Sequence, residues 1–363
     1  IWSYVAETIA GNRHMSTDSI YRMAPQMLFT RKGSTFVADG LVDATRYNRQ
    51  VDDYLRLLTD IDSDKELRLV SPSDYLASRG GMSFSTSKDH IAVYFAVGDI
   101  VDAGEGGIVG PTVSSDIVKL ADDDKVKGLV LRVNSPGGSA FASEQIWESL
   151  QYFKSKGKPL YVSMGDYAAS GGYYISCGAD TIFADRTTLT GSIGVFGMIP
   201  DMSGLITDKF GINFSTVQTN PNAGGISIVR PMTPVQYAAM QHSVEDIYDL
   251  FTSRVAAGRG MSQDSVKAIA EGRVWTGGRA VELGLVDYLG SLAATVEAMA
   301  EATGLDTDEV VGYPLAEEKL WERIIRESGG LEGVKADAPF DEETMKQLYF
   351  IKRLREMNPV QAR

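Results

Sequence analysis

With 363 residues, 44% of them hydrophobic and 23% charged, the chain is long enough for two or three folded units and is no small disulfide scaffold. Lys and Arg number 35 against 48 Asp and Glu, a net charge of −13 that repels phosphate and argues against a nucleic-acid partner. The single cysteine, Cys177, excludes an intrachain disulfide and a Cys-based zinc site, and no uncharged apolar run reaches the ~18–20 residues of a membrane span.

In chain order, residues 1–61 read as helical: Ile1, Val5 and Ile9 recur on one stripe, and Ser16-Thr17-Asp18 caps the helix that follows. Residues 62–89 read as a connector, with a candidate strand at 66–70 and a Ser- and Gly-containing polar linker at 78–89. From His90 strands alternate with helices, the pattern of a layered α/β unit. The expected strands are 91–97, 128–133, 160–164 and 181–184, the second apolar enough to be central. Between the second and third, Ile146, Leu150 and Phe153 mark the inward face of a helix. A helical module follows Arg230-Pro231, so that 90–304 forms one domain and 305–363 a charged, peripheral tail.

The sequence also repeats itself. Arg13, Met15, Ser16, Asp18 and Ser19 recur as Arg259, Met261, Ser262, Asp264 and Ser265, all at an offset of 246. Phe29-Thr30 answers Trp275-Thr276, and Val37, Gly40, Leu41, Val42 and Asp43 answer Val281, Gly284, Leu285, Val286 and Asp287 after a two-residue slip. The second copy follows a long α/β stretch, whereas nothing precedes the first. Residue 1 is therefore expected to lie late in a first repeat whose core is missing here. The alternative is a short repeated helical hairpin with no missing half.

Chemistry concentrates at three glycine-punctuated strand ends. Pro136-Gly137-Gly138 follows the second strand, and two glycines after a proline let backbone N–H groups face an oxyanion or a phosphate. Ser170-Gly171-Gly172 follows the third strand, where a serine among small residues can project its hydroxyl into a cleft. Thr190-Gly191-Ser192 comes 22 residues after Ser170, and its serine is placed to hydrogen-bond a catalytic base. Each has a structural alternative: an ordinary turn at Gly137-Gly138, a helix N-cap at Ser170, a structural hydroxyl at Ser192. Together they occupy successive strand ends of one sheet, where α/β ligand sites form.

A serine at its free pKa needs a base. The three histidines, His14, His90 and His242, lie in the helical repeat, beside the linker and in a polar helical stretch, which argues against a Ser/His/Asp triad. Two S-x-x-K matches, Ser85 to Lys88 and Ser155 to Lys158, fall in linker and turn and lack their accompanying motifs. A desolvated lysine remains as the candidate base.

The runs VLRVNSPGGS, SMGDYAASGGYYIS and LTGSIGVFG, in this order and spacing, resemble signal peptide peptidase A in its long tandem-repeat form. The resemblance covers essentially residues 1–300 and implies a crotonase or Clp-protease type of layered α/β core with helical extensions, of which this chain is the second repeat. It also implies a serine/lysine endopeptidase that degrades membrane-associated remnant signal peptides, needs no cofactor or metal, assembles as a homotetramer, and sits on the extracytoplasmic, periplasmic side of the bacterial cell membrane through an anchor upstream of Ile1. By the same resemblance Ser170 is the nucleophile, Gly138 and Gly171 are the oxyanion-hole donors, and Ser192 orients the lysine. The chain departs from the pattern at that lysine, since none occurs from Gly211 to Val266, and Lys209 is a poor substitute. In the tandem form the lysine comes from the first repeat, which the offset puts about 25 residues upstream of Ile1, so this chain alone is expected to be inactive. Two other classes stay open: a crotonase-like acyl-CoA hydratase or isomerase, and a non-catalytic assembly scaffold.

Overall fold

The apolar runs pair into an eight-stranded sheet, with Ile100–Val101 and Ile108–Val109 in a separate two-stranded one, in the computed structural model, which describes residues 1–26, 28, 32–62, 65, 67, 69–70, 88–104, 106–217 and 224–314. The strands are β1 (His90–Val97), β2 (Ile100–Val101), β3 (Ile108–Val109), β4 (Val126–Ser135), β5 (Leu160–Ala169), β6 (Thr181–Ala184), β7 (Leu189–Gly191), β8 (Val274–Thr276), β9 (Tyr288–Leu289) and β10 (Val310–Tyr313). Six of them run parallel in the order β10-β1-β4-β5-β6-β9, while β7 pairs in parallel with the far end of β5 and β8 runs antiparallel to β7. The helices are α1 (Trp2–Asn12), α2 (Thr17–Met23), α3 (Gly33–Ala38), α4 (Asn48–Thr59), α5 (Gly110–Asp122), α6 (Ala140–Ser155), α7 (Gly171–Ser176), α8 (Pro234–Arg259), α9 (Gln263–Ile269), α10 (Gly277–Glu282) and α11 (Leu292–Thr303). The expected layered α/β class is what the chain adopts.

Strand β4 is central because both its faces are covered, and the apolar run Leu129–Leu131 at its middle reflects that. Leu129, Leu131 and Val133 join Ile117 of α5 and Ile146, Leu150 and Phe153 of α6 in the main core. On the other face Ile91, Val93 and Val130 pack with Met299 and Ala300 of α11. Each such fully buried side chain contributes roughly 1.5–3 kcal/mol, so the face of α6 marked by Ile146, Leu150 and Phe153 is anchored at three points.

Three expectations need correction. Ile1, which precedes α1, is exposed and Val5 and Ile9 are only half-buried; the helix buries Ala6 and Ala10 instead, against Ile20 and Met23 of α2, because small residues allow close packing. Strand β5 runs on to Ala169, through a polar stretch that interrupts the apolar run, and so ends directly at Ser170. Val310–Tyr313, assigned to the peripheral tail, forms a buried parallel strand on β1, which a four-residue run is too short to announce. Most of the connector, including the 78–87 linker and Ser85, and also Phe29-Thr30 and the tail beyond 314, lie outside the described residues. Among the described residues no helix is long and apolar enough to cross a membrane.

The two similar helical segments make the same contacts. Arg13 Nε donates to the carbonyl of Gly40 at 2.9 Å and its Nη atoms to Asp43, as Arg259 Nε donates to Gly284 at 2.9 Å and its Nη atoms to Asp287. Ser16 and Ser262 each cap a helix by accepting from the N–H three residues on. His14 stands in the left-handed conformation (φ 51°) where the second segment has Gly260 (φ 62°), which gives that histidine a helix-ending place. The surroundings differ, however. Asp43 is 90% exposed, whereas Asp287 also accepts from the N–H of Ile182 on β6 and faces an Arg259 side chain only 7% exposed. Replacing Asp287 with Asn leaves a buried guanidinium uncompensated and is expected to lower stability by about 3 kcal/mol in urea unfolding. Asp43→Asn is expected to leave the unfolding midpoint within error of the parent protein.

Candidate active site

The three strand ends converge because of register. Ser135 of β4 is level with Ala168 of β5, and Ala169 of β5 is level with Gly191 of β7. Ser170 and Ser192 are thus each one residue past a registered pair on adjacent strands, a spacing of about 4.8 Å. The pairing is completed by Ser170 N–H donating to Gly191 O at 2.9 Å and Ser192 N–H donating to Arg273 O at 2.8 Å. Gly138 follows β4 on one side of Ser170, and Ser192 follows β7 on the other.

The loop after β4 needs its glycines. Gly137 has φ 105°, and a Cβ there would lie 2.8 Å from Ser170 Cβ and 2.6 Å from Gly171 N. The loop is held from beyond by β2: Ile100 N–H donates to Gly137 O at 2.9 Å, and Ser139 N–H donates to Ile100 O at 2.8 Å. The Gly138 N–H lies between these two bonds and has no acceptor among the described residues, and neither has the Gly171 N–H. A Cβ on Gly171 would sit 3.2 Å from Gly138 N, so the two free N–H groups are close neighbours.

Ser170 precedes α7 with φ 53° and ψ −120°, a strained conformation for a residue other than glycine. Its side chain makes no capping hydrogen bond, which removes the N-cap alternative. Ser192 is left-handed as well, at φ 48°. Neither hydroxyl has a hydrogen-bond partner among the described residues. Both open into a cleft of about 1030 Å³ that Gly138 and Gly171 also line.

The far wall of the cleft comes from α8, through Met240, Val244, Ile247, Tyr248 and Phe251. No feature of the motifs foretold it, because the wall is 70 residues and more from Ser170 in sequence. Tyr174 packs on Phe251 at 4.5 Å between ring centroids and donates to Glu144 at 2.6 Å, and Glu144 is paired with Arg254 of α8. Burial, then the Glu144 carboxylate, pushes the Tyr174 phenol well above its ordinary range, so it stays protonated. Burial likewise pushes the Cys177 thiol up to about 12, which makes it an unreactive core group.

Among the described residues, Asp99 and Glu271 are the charged ones of the cleft lining, and none of that lining is lysine, arginine or histidine. Lys209 is exposed on a separate turn. His90 is buried against Tyr313, and His242 lies on the exposed face of α8 near Asp246. The arrangement therefore offers two half-buried, unpartnered hydroxyls that open into the cleft and two spare backbone donors, and it contains no base of its own among the described residues.

Comparison with known proteins gives the following. The profile described as Peptidase family S49 matches residues 152–306, and that of Clp protease matches residues 109–192. The Protease 4 of Haemophilus influenzae is 36% identical over 320 residues, 86% of this chain and 52% of that protein. The Protease 4 of Salmonella typhi is 37% identical, over 84% of this chain and 50% of that protein. A putative protease of Synechocystis is 37% identical over 53% of this chain and 69% of that protein. The chain spans about half the length of the two Protease 4 relatives.

Strain at Ser170 is testable on its own. Ser170→Gly relieves the positive φ and is expected to raise stability by about 1 kcal/mol in thermal unfolding, with Ser170→Ala showing no comparable gain. A lower melting temperature for the glycine variant would contradict the strained geometry.

Proposed function

Because the chain belongs to peptidase family S49, we propose that it acts as a serine endopeptidase with Ser170 as its nucleophile. The observation that carries this reading is the strained, uncapped Ser170 beside the two unengaged N–H groups of Gly138 and Gly171. Ser170 Oγ attacks the peptide carbonyl carbon, the two N–H groups hold the oxyanion, and a neutral lysine takes the hydroxyl proton. Collapse expels the amine, which leaves with that proton, and water then hydrolyses the acyl-enzyme. Ser192, one strand over, accepts a hydrogen bond from the lysine amine and aims it at Ser170.

The lysine is placed outside this chain, in the matching loop of a first repeat, so that residues 1–363 alone lack a working dyad. Two facts support that placement: the helical segments share one set of contacts, and the Protease 4 relatives are about twice the length matched. On the same reading residues 1–61 close the first repeat, residues 90–304 with strand β10 form the second, and the complete protein is a membrane-anchored homotetramer on the periplasmic side that degrades remnant signal peptides. The apolar wall of α8 supports such substrates, since it suits the uncharged side chains of those peptides.

In the complete protein a fluorophosphonate is expected to label one serine, and Ser170→Ala to abolish both labelling and peptide cleavage. Retained labelling in that variant would sink the assignment. Ser192→Ala is expected to lower kcat by about 10²-fold, the lower end of what positioned proton transfer contributes, with labelling slowed in proportion.

A further inference from the structure

We propose that Asp99 selects a positively charged side chain in the bound peptide, close to the scissile bond. The inference rests on the peptidase reading of the cleft and adds a substrate class to it: an apolar peptide carrying a lysine or arginine.

Position is the first ground. Asp99 immediately precedes Ile100, the residue whose N–H and C=O bracket Gly138 through Gly137 O and Ser139 N–H. Its carboxylate is thus one residue from the backbone that holds an oxyanion donor, and it lines the cleft. It lies across Gly138 from Ser170, whereas the base approaches from Ser192 on the opposite side, so a substrate cation at Asp99 does not compete with the catalytic lysine.

Availability is the second ground. Three acids lie in or beside the cleft, and two are already satisfied from within. Glu271, on the Ser192 side, accepts from Arg273 at 2.7 Å, and Asp102, which follows β2, accepts from the Ser139 hydroxyl. The Asp99 carboxylate is exposed and has no hydrogen bond or ion pair among the described residues. A carboxylate with all its acceptor sites free, beside a cleft without a cation, offers a charge-assisted bond that the chain itself does not use.

The remainder of the cleft sharpens the choice. A cationic side chain laid on Met240, Val244 and Ile247 would lose its hydration with nothing in return, so the apolar wall takes an uncharged residue and directs the cation to Asp99. The net charge of −13 adds an attractive field for the approach of such a peptide.

The test scans a single lysine through the residues flanking the scissile bond of a fluorogenic apolar peptide, with norleucine at the same position as the control, on the complete protein. At one position lysine is expected to raise kcat/KM by about two- to fivefold over norleucine, the range of an exposed ion pair, with the ratio falling towards one between about 50 mM and about 0.5 M salt. Asp99→Asn is expected to bring that ratio to one, Asp99→Lys to favour glutamate over lysine there, and Glu271→Gln to keep the lysine preference. A ratio of one at every position in the parent protein, or a ratio unmoved by both Asp99 variants, overturns the inference. Cleavage that persists in Ser170→Ala overturns the peptidase reading instead. Binding of the same peptides to Ser170→Ala, compared with Ser170→Ala combined with Asp99→Asn, reads the cation preference independently of catalysis.

Discussion

The approach of Gly137 to Ser170 is the constraint on which the rest of the site depends. A Cβ at Gly137 would fall 2.8 Å from the Ser170 Cβ, so the loop after β4 reaches β5 only as bare backbone. That closeness brings the N–H groups of Gly138 and Gly171 side by side, and β2 fixes it from outside through the two bonds of Ile100. Beside it Ser170 stands at a positive φ of 53°. A single steric requirement thus sets the donors next to the projecting hydroxyl, which is the pairing that nucleophilic attack on a carbonyl needs.

Around this centre the cleft is asymmetric. One wall is the apolar face of α8, tied to the helix after Ser170 by the stacking of Tyr174 on Phe251 and by the bridge from Tyr174 through Glu144 to Arg254. The rest of the lining includes the carboxylates of Asp99 and Glu271 and, among the described residues, no cation. A water-exposed charge and an apolar surface thus line one cleft and favour different side chains, since each repels what the other accepts.

The two helical segments show how context changes the worth of one motif. The same arginine fork to a glycine carbonyl and an aspartate occurs twice, yet only Asp287 also takes the N–H of a core strand. The exposed pair gains little from a bond that water would otherwise make. The buried pair has no such substitute, and it fastens the helical segment to the sheet beside β9.

The sequence by itself determined the local chemistry. The glycine pairs, Ser170, Ser192, the apolar strand runs and the repeated helical motif were legible because each depends on residues close together in the chain: a positive φ, a strand's apolar face, a capped helix start. The buried strand at Val310–Tyr313, the continuation of β5 to Ala169 and the burial of Ala6 in place of Ile1 were not legible, since pairing and packing partners decided them against local preference. Only the tertiary structure set Ala169 level with Gly191, so that two serines 22 residues apart became neighbours. It alone brought Met240 and Phe251 of α8 to the cleft and left Asp99 without a side-chain partner among the described residues. Strand register and helix docking are long-range choices, made by the burial of the whole core, and no short stretch of sequence encodes them.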